Sequence, residues 1–416
     1  MSPSKTLPNI AIVGGGPSGL CLGVLLHKQD IPFVIYELRD KPADVLLTTP
    51  SGMLDLHVDA GLAAIRACGL WDQFKELTTD CSEEVIIRDK SGKITHSSHR
   101  KGSDRPEIAR NSLTHLLLSA TPAESIRWGH KLFDAEYASN GKILLDFGPN
   151  GTAEHDFVVG ADGAWSRIRN LVTSVRARHG GLQYLTLDIV DATTRYPALA
   201  AMVGTGSSFI LGDKNGIVTH RSVHDSIRLC VSVSTYEEKP FHGRFTVFDA
   251  EELKRKLLTD PRYFGTWDKS IQDLIATAVD ETVAASGNNP QMLAAKPLYM
   301  LPVGHEWDAQ PGIALVGDAA HLMMPWAGEG VNLALWDSLH LADAITKGWN
   351  ESTDPVEFQH AMISLVSEFD QKMFQRSTRA AVETWQNGKR LFQENGAQVM
   401  ADTLAMYAAQ RGERKK

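Results

Sequence analysis

Apolar runs of strand length, each followed by a turn and a helical pattern, recur along this chain. The first run, Ile10–Val13, precedes a glycine-rich turn and an apolar stripe that continues to Leu25. The second run, Phe33–Tyr36, ends in Glu37. Short continuous apolar runs are typical of strands that are buried on both faces. The order of strand, glycine-rich turn, helix and strand predicts a βαβ unit near the N-terminus.

The same pattern returns twice. Residues 157–160 form an apolar run that leads into Asp162 and the segment DGAWSRIR. Residues 312–316 form another, which leads into GDAAHLMMPWAGEGVN and then into a helical pattern containing Leu333 and Leu341. The chain therefore has three strand-end motifs, at residues 14–19, 162–169 and 317–332.

Residues 176–292 have a different, strand-rich pattern. Residues 227–233 alternate between apolar and polar side chains, as in a strand with one solvated face. The apolar segments 209–211 and 217–220 flank Asn215-Gly216, a pair that favours the turn of a β-hairpin. We expect a β-rich sheet to be inserted between the nucleotide-binding segments.

The tail after Gly348 has the pattern of a long helix. Asp354 is a candidate N-cap, with Pro355 at the first helical position and Glu357 completing a capping box. An apolar stripe at helical spacing follows, formed by Phe358, Met362, Leu365, Phe369 and Met373. The stripe is expected either to bridge two domains or to form a dimer seam.

Composition narrows the class of protein. The 416 residues suggest two or three domains, and the net charge of −8 argues against a nucleic-acid partner. No apolar run is long enough to cross a bilayer, and the polar N-terminus does not resemble a signal peptide. Four cysteines without CxxC pairs fit a reducing, cytoplasmic location. Because the sequence contains no HExxH motif, we expect no metal site. The absence of a GxSxG motif weakens a hydrolase interpretation.

The first motif has the spacing GxGxxG. Gly14 would permit a tight turn, Gly16 would let a pyrophosphate approach the backbone, and Gly19 would let helix and strand pack closely. The helix start offers free N–H groups to phosphates. Glu37 is placed to bind a ribose diol, and its negative charge disfavours NADP at this site. The motif alone leaves NAD and FAD open.

Together the three motifs resemble the FAD-dependent aromatic hydroxylases, the single-component flavoprotein monooxygenases. The second motif matches DGxxSxxR, and the third matches a GD motif with a PxxGxGxN tail. The resemblance covers most of residues 8–345. It is closest to the tetracycline-inactivating monooxygenases, through PEIARN around Arg110, LDLH at residues 54–57 and the run GDAAHLMMPWAGEGVN.

The resemblance implies an α/β fold in which a Rossmann-like FAD-binding domain carries an inserted β-rich substrate domain and a C-terminal bridging helix. The FAD-binding domain would comprise residues 1–72, 97–175 and 293–350. The substrate domain would comprise 73–96 and 176–292, and the helix 351–416.

The resemblance also implies roles for individual residues. Asp318 would bind the ribityl chain of FAD, although it could be a plain helix cap. Arg110 and Asp55 would contact the flavin, and Asn332 would cap the following helix or bind the ring. The expected cofactor-binding residues are Gly14, Gly16, Pro17, Ser18, Gly19, Glu37, Leu38, Arg39, Asp55, Arg110, Asp162, Asp318, Pro325, Gly328, Gly330, Val331 and Asn332.

Some side chains keep two interpretations. Arg228 could meet an anionic or enolic substrate, or form a salt bridge on its strand. Trp326 could form a pocket wall or pack in the core, and His321 could be a general base or orient its loop. The expected substrate pocket comprises Arg228, Pro325, Trp326, Ala327 and Gly328.

The function implied is an FAD-dependent monooxygenase that uses NADPH or NADH and dioxygen. It would oxygenate a phenolic, polycyclic or polyketide-like small molecule through a flavin hydroperoxide, with no catalytic side chain because the flavin carries the chemistry. Hydroxylation, epoxidation and Baeyer–Villiger oxidation all fit, and the chain would be a monomer or weak dimer. The alternatives are a flavin-dependent oxidase or reductase, a non-catalytic flavin-fold binding protein and an NAD dehydrogenase.

Overall fold

The computed structural model describes residues 7–43, 51–79, 83–100, 105–222, 224–234, 249–285, 293 and 295–413. The strands are β1 (Ile10–Val13), β2 (Phe33–Tyr36), β3 (Met53–Asp55), β4 (Thr78–Thr79), β5 (Glu83–Asp89), β6 (Ile94–Arg100), β7 (Glu107–Ala109), β8 (Ile126–Arg127), β9 (Asp134–Tyr137), β10 (Ile143–Asp146), β11 (Thr152–His155), β12 (Phe157–Gly160), β13 (Arg178–Ile189), β14 (Ser207–Gly212), β15 (Asn215–Ser222), β16 (Ser226–Ser234), β17 (Lys296–Met300) and β18 (Ile313–Leu315).

Helices lie between the strands along much of the chain, and the last four helices follow one another after β18. The helices are α1 (Pro17–His27), α2 (Gly61–Ala67), α3 (Trp71–Leu77), α4 (Arg110–Ser119), α5 (Ala192–Arg195), α6 (Pro197–Val203), α7 (Ala250–Thr259), α8 (Lys269–Ala285), α9 (Asp318–His321), α10 (Gly330–Glu351), α11 (Pro355–Leu391) and α12 (Gly396–Glu413). Within the described ranges, no helix combines the length and apolar character that crossing a membrane requires.

A parallel sheet forms the core of the nucleotide-binding part. Among the described residues its strand order is β18-β12-β1-β2-β8. Ile10, Ile12, Phe157 and Val159 have no exposed surface. Helix α1 packs against β1, β2, α4 and α10 and so covers part of the sheet. The predicted βαβ unit and Rossmann-like architecture are confirmed.

A larger, mostly antiparallel sheet forms the β-rich part, in the order β17-β13-β16-β15-β14-β5-β6 within the described chain. Leu185, Leu187 and Leu229 point from one face into a core shared with α8. The opposite face carries half-buried side chains such as Asp188 and Arg228. The sheet confirms the predicted strand at residues 227–233.

The strand positions bear on the predicted domain limits. Strand β6 spans Ile94–Arg100, so the expected boundary at residue 97 falls inside a strand. Strand β17 (Lys296–Met300) pairs with β13 in the large sheet, although segment 293–350 was expected to belong to the FAD-binding domain. The division into domains stays a prediction.

The predicted hairpin exists, but its turn lies two residues earlier than expected. Strands β14 and β15 are joined by Asp213 and Lys214, whose φ angles of 49° and 61° are those of a two-residue turn with both φ positive. Asn215 is instead buried in β15, where its side chain donates to the Arg262 carbonyl at 2.9 Å and accepts the Ser234 N–H at 3.2 Å. These tertiary hydrogen bonds outweigh the local turn preference of Asn-Gly.

The long C-terminal helix begins where the sequence predicts. The Asp354 side chain accepts the N–H groups of Val356 and Glu357 at 2.9 and 3.0 Å, and Pro355 is the first helical residue. The Glu357 carboxylate accepts the Thr353 N–H at 2.9 Å, one residue before the cap of the expected capping box. Side chains therefore satisfy backbone N–H groups on both sides of the first helical residue.

The C-terminal segment bridges the two parts of the fold, and it does so with two helices rather than one. The first half of α11 packs on α10. Farther along α11, Thr384 donates to the Met324 carbonyl at 2.6 Å and Asn387 to the Trp326 carbonyl at 3.1 Å. Helix α12 then packs on β5, β6 and β14. The predicted apolar stripe packs against the core of the nucleotide-binding part, with Leu365 only half-buried. Later residues of the segment make the contacts of the bridge, and the bridging interpretation is confirmed.

Candidate functional site

The three strand-end motifs lie side by side at one edge of the parallel sheet. In the strand register Val13 is the partner of Gly160, and Gly160 is the partner of Leu315. The turns that follow these residues therefore start next to one another. The carboxyl edge of such a sheet is where ligands bind in doubly wound folds.

The glycines of the first motif have three different environments. A Cβ on Gly14, where φ is 112°, would lie 2.2 Å from the Ala161 carbonyl oxygen, and a Cβ on Gly19 would lie 1.9 Å from the Gly14 oxygen. A Cβ on Gly16 would meet nothing within 4 Å. Helix α1 begins directly after it, at Pro17. Two glycines thus serve close packing, while Gly16 leaves open space in front of a helix N-terminus.

Glu37 ends β2 as a buried carboxylate beside this turn. Its Oε2 accepts the Gly15 N–H at 2.7 Å, and its Oε1 accepts the N–H and the Nε of Arg39 at 2.9 and 2.6 Å. Burial alone would raise the pKa of Glu37, but these hydrogen bonds and the Arg39 charge hold it below its usual range. The carboxylate is therefore ionised at neutral pH and has acceptor capacity left for a hydroxyl group. Leu38 is 60% exposed at the rim.

The second motif is tied to the third by the side chain of Arg169. The Asp162 carboxylate accepts the Arg167 N–H at 2.7 Å within its own turn, and burial raises its pKa. Arg169 is buried and donates from Nη1 to the Ala319 carbonyl at 3.0 Å and from Nη2 to the Ala164 carbonyl at 2.8 Å. The guanidinium thus fixes the turn after β12 against helix α9. One oxygen of Asp162 is engaged in its own turn, while Oδ1 is buried and has no hydrogen-bond partner among the described residues.

Asp318 presents an unengaged carboxylate at the end of β18. The residue is exposed, it is the first residue of α9, and it does not cap that helix. Among the described residues, none forms a hydrogen bond or ion pair with its carboxylate. Gly317, with φ of 62°, makes the preceding turn possible. An exposed carboxylate whose oxygens are free to accept hydrogen bonds suits a polyol such as the ribityl chain.

We expect the substitution Asp318→Ala to weaken FAD binding by about tenfold to a hundredfold, since a hydrogen bond to a charged group contributes about 1.5–3 kcal/mol. Because the side chain is exposed, the free energy of unfolding of the apoprotein should change by less than about 0.5 kcal/mol. Titration of apoprotein with FAD measures the first effect. The exposed Asp308→Ala serves as the matched control, and equal affinity of the two variants would exclude Asp318 from the site.

The third motif continues into a loop that ends at the start of α10. A Cβ on Gly330 would meet nothing within 4 Å, and one on Gly328 would lie 3.4 Å from the Asp55 Oδ1. Asn332 has no exposed surface; its Oδ1 accepts the His57 N–H at 2.8 Å, and its Nδ2 donates to the Asp55 carbonyl at 2.9 Å. The Asn332 side chain therefore does not cap α10, and its role towards a flavin ring stays a prediction. It ties the loop after β3 to the start of α10.

His57 lies between two carboxylates beside this loop. Its Nε2 is 3.1 Å from the Asp55 Oδ2, and its Nδ1 is 3.5 Å from the Glu329 Oε2. These two partners outweigh burial and raise the pKa of His57 to about 9. The imidazolium is a cationic bridge between β3 and the loop before α10 at neutral pH. Arg105, 3.8 Å from Asp55, adds a second positive charge.

His321 lies behind the loop rather than in an open site. Its Nε2 is 2.6 Å from the Oδ2 of Asp337, which has no exposed surface and also accepts the Gly317 N–H at 3.2 Å. Arg376 lies 3.3 Å from the other carboxylate oxygen. Burial opposes the charged imidazole, but Asp337 raises the pKa of His321. The loop-orienting interpretation of His321 agrees with this geometry.

Arg110 and Arg228 both lie beside the segment that contains Gly52. Arg110 begins α4, its N–H donates to the Gly52 carbonyl at 2.9 Å, and its side chain is exposed. Arg228 forms a two-point ion pair with Asp188, with Nε–Oδ1 and Nη2–Oδ2 distances of 2.8 Å. The salt-bridge interpretation of Arg228 is thus realised. The Arg228 Nη1 also lies 4.0 Å from the place that a Cβ on Gly52 would occupy.

Trp326 packs against the C-terminal helices. Its ring centroid is 4.9 Å from that of Phe392, and a Cβ on Gly388 would be 2.9 Å from its Cδ1. The packing interpretation accounts for these contacts. Pro325 and Gly328 are exposed and Ala327 is half-buried, so their backbone lines the open side of the loop.

Several residues of the site were not predicted. His57 and Glu329 lie inside the sequence motifs LDLH and GEG, so the motifs pointed to these positions. The motifs did not indicate that the two side chains would form an ion pair with each other. Asp337 and Arg376 are 39 residues apart on α10 and α11 and carry no local signal. Asp188 could be found only from the pairing of β13 with β16.

Comparisons with known proteins agree with this geometry. The family model described as "FAD binding domain" matches residues 8–356. The monooxygenase penA of Penicillium thymicola is 34% identical, over 95% of this chain and 98% of its own. The monooxygenase asqM of Emericella nidulans is 33% identical over the same shares.

Solved structures show the same fold. Klebsiella pneumoniae HpxO in complex with FAD and uric acid matches 98% of this chain and 94% of its own, with a TM-score of 0.71 at 18% identity. The tetracycline destructase Tet(51) matches 96% of each chain, with a TM-score of 0.66 at 16% identity. The family resemblance drawn from the three motifs is confirmed. The chain belongs to the FAD-binding family of single-component aromatic hydroxylases and is an FAD-dependent monooxygenase.

Proposed function

We propose that this monooxygenase takes reducing equivalents from NADPH or NADH and uses dioxygen to oxygenate a small aromatic or polyketide-like molecule. Bound FAD supplies the redox chemistry and the activation of oxygen. Glu37 disfavours NADP in the site that it flanks. The nicotinamide nucleotide is therefore proposed to bind elsewhere and only transiently, and the enzyme is proposed to work in the cytoplasm.

The observation that carries the proposal is a cradle formed by the three strand ends. Gly16 leaves space for a pyrophosphate before α1, and Glu37 offers acceptors to the adenosine ribose. Asp318 offers an unengaged carboxylate to the ribityl chain. Gly328 and Gly330 leave backbone uncovered at the N-terminus of α10. An FAD molecule needs these features in this order along its length.

The protein residues contribute position and charge rather than acid–base chemistry. The N-terminus of α10 carries a partial positive charge, which favours the negative charge that a reduced flavin ring acquires. The Asn332 amide and the His57 imidazolium hold the loop that presents this helix end. A site that is preorganised in this way needs no rearrangement when the charge appears.

The substrate class is inferred from the relatives and from the large sheet. HpxO binds uric acid in its structure, and other structural relatives are named salicylate hydroxylase and tetracycline destructase. These names all refer to ring compounds. The half-buried face of β13–β16 lies opposite the loop that contains Gly52, beside the proposed flavin position. We therefore place the substrate between this face and the flavin.

The test is to purify the protein, record its visible spectrum and follow NADPH and NADH oxidation in air with phenolic polycycles, tetracyclines included. We expect a flavin spectrum, oxidation that substrate stimulates and a product heavier by one oxygen atom derived from ¹⁸O-labelled dioxygen. Substrate-stimulated oxidation without label in the product would favour the oxidase alternative. Protein that takes up no FAD would refute the proposal.

A further inference from the structure

The ion pair between Arg228 and Asp188 faces the proposed substrate space. The two residues are direct partners across β16 and β13, and both carboxylate oxygens accept from the guanidinium at 2.8 Å. Their side chains are 22% and 30% exposed. The parallel two-point geometry fixes the guanidinium plane against the sheet.

The pair belongs to a polar row at one end of this face. The next residues in the row are His220, which is the cross-strand partner of Arg228, and Ser207, whose hydroxyl lies 2.9 Å from the His220 Nδ1. The His220 Nε2 is 3.4 Å from the Glu107 carboxylate on β7. The row thus meets the FAD-binding part where β3 and β7 pair.

The neighbouring row on the same face is less polar. It consists of Thr186, Cys230, Val218 and Phe209, which are successive partners across β13, β16, β15 and β14. All four are half-buried. Phe209, at the far end of the row, packs against the apolar cluster that contains Leu391, Phe392 and Ala397 of the C-terminal helices, so the part of the row nearer β13 is the part proposed to meet a ligand. Such a row suits the flat apolar body of an aromatic ring, with the polar row at the edge of that ring.

The charge of the polar row decides which substituent on the edge of an aromatic ring it can bind. A carboxylate that approaches Arg228 meets Asp188 at nearly the same distance, because the two groups are in direct contact. Attraction to one and repulsion from the other then nearly cancel, while the cost of desolvating the carboxylate remains. A neutral group that donates and accepts hydrogen bonds can bind to both members of the pair, and its desolvation costs much less than that of a carboxylate.

We propose that Asp188, by neutralising Arg228, makes this enzyme select an uncharged aromatic substrate over one that carries a carboxylate. The inference rests on the proposed function, which places the substrate on this face. Asp188 acts through Arg228 and is a specificity-determining residue, not a catalytic one.

The experiment uses the FAD-loaded protein and two probes of equal shape, 2-hydroxybenzamide and 2-hydroxybenzoate. Each is titrated while the visible spectrum of bound FAD reports binding. We expect the wild-type protein to bind the neutral probe more tightly. The substitution Asp188→Asn keeps the size of the side chain and one of its two acceptor oxygens, but removes the charge that neutralises Arg228. It should shift the affinity ratio towards the benzoate by roughly tenfold or more.

Two further variants make the test specific. The double variant Asp188→Asn/Arg228→Gln is neutral again and should return the ratio to that of the wild type. Glu281→Gln breaks the ion pair with Arg195, which lies away from this face on α8 and α5, and should leave the ratio unchanged.

Three outcomes would overturn the inference: a wild type that prefers the benzoate, an Asp188→Asn variant with an unchanged ratio, or probes that perturb the flavin of no variant. Each leaves the monooxygenase proposal standing, since that proposal depends on flavin content and oxygen insertion. Loss of bound FAD from the wild type would instead refute the proposed function itself.

Discussion

The substitution Gly16→Val should give a folded but colourless protein. Gly16 has φ and ψ of −81° and −178°, an extended conformation that valine adopts readily. A Cβ at this position meets no atom within 4 Å, so the apoprotein has room for the new side chain. The free energy of unfolding of the apoprotein should therefore change little.

The same side chain would occupy the space proposed for the pyrophosphate. The phosphates would lose contact with the N–H groups at the start of α1, and hydrogen bonds to charged groups contribute about 1.5–3 kcal/mol each. Loss of two such bonds weakens binding by about a hundredfold or more, because each 1.4 kcal/mol is a factor of ten. The visible flavin absorbance of purified protein and titration of apoprotein with FAD measure the effect.

Gly19→Val gives the contrast that makes the result specific. A Cβ on Gly19 would lie 1.9 Å from the Gly14 carbonyl oxygen, so this variant should fail to fold or lose most of its stability. Gly16→Val should show native circular dichroism and a near-native Tm without flavin. A yellow, fully loaded Gly16→Val protein would remove this turn from the cofactor site.

The parts of the fold that follow from local sequence were predicted correctly. The buried strands, the glycine turn, the helical pattern around Leu333 and the cap at Asp354 depend on residues within a few positions of one another. Gly14 has the positive φ that suits its expected turn, and Gly19 has the expected close contact, since the spacing GxGxxG already encodes a strand, a tight turn and a helix. Local chemistry was sufficient at these positions.

The parts that were missed depend on contacts between distant segments. Asn215 was expected in a turn but is held in β15 by Arg262 and Ser234. One interpretation of Asn332 was a helix cap, but residues 275 and 277 positions away engage its side chain instead. The choice between a substrate contact and a salt bridge for Arg228 depended on which residue of β13 lies opposite. No pattern in the neighbourhood of these residues contains that information.

The most destabilising change that we expect is Asp337→Asn. Asp337 has no exposed surface and receives His321, Arg376 and the Gly317 N–H on its two oxygens. Removing its charge leaves the imidazolium and the guanidinium without their buried counter-charge. Breaking a buried ion pair from one side costs about 3–5 kcal/mol. Unfolding in urea should show this loss, and Asp343→Asn, exposed on the same helix, should not.

The loss should also depend on pH. Because Asp337 raises the pKa of His321 in the folded protein, the stability from this pair is fully present below the unfolded pKa of about 6.5. It declines as the pH rises through the folded pKa. The difference between wild type and Asp337→Asn should therefore be largest near pH 6 and shrink at alkaline pH. A constant difference would mean that His321 is not charged in the folded state.

Asp337 also connects stability to the cofactor. The carboxylate that holds His321 accepts the N–H of Gly317, and Gly317 makes the turn that presents Asp318. At a temperature where Asp337→Asn remains folded, FAD affinity should fall along with stability, whereas Asp318→Ala should lower affinity alone. If Asp337→Asn were destabilised but bound FAD as tightly as the wild type, the turn would be held by the backbone of β18 and α9. The ion pair on α10 and α11 would then serve only to join those helices.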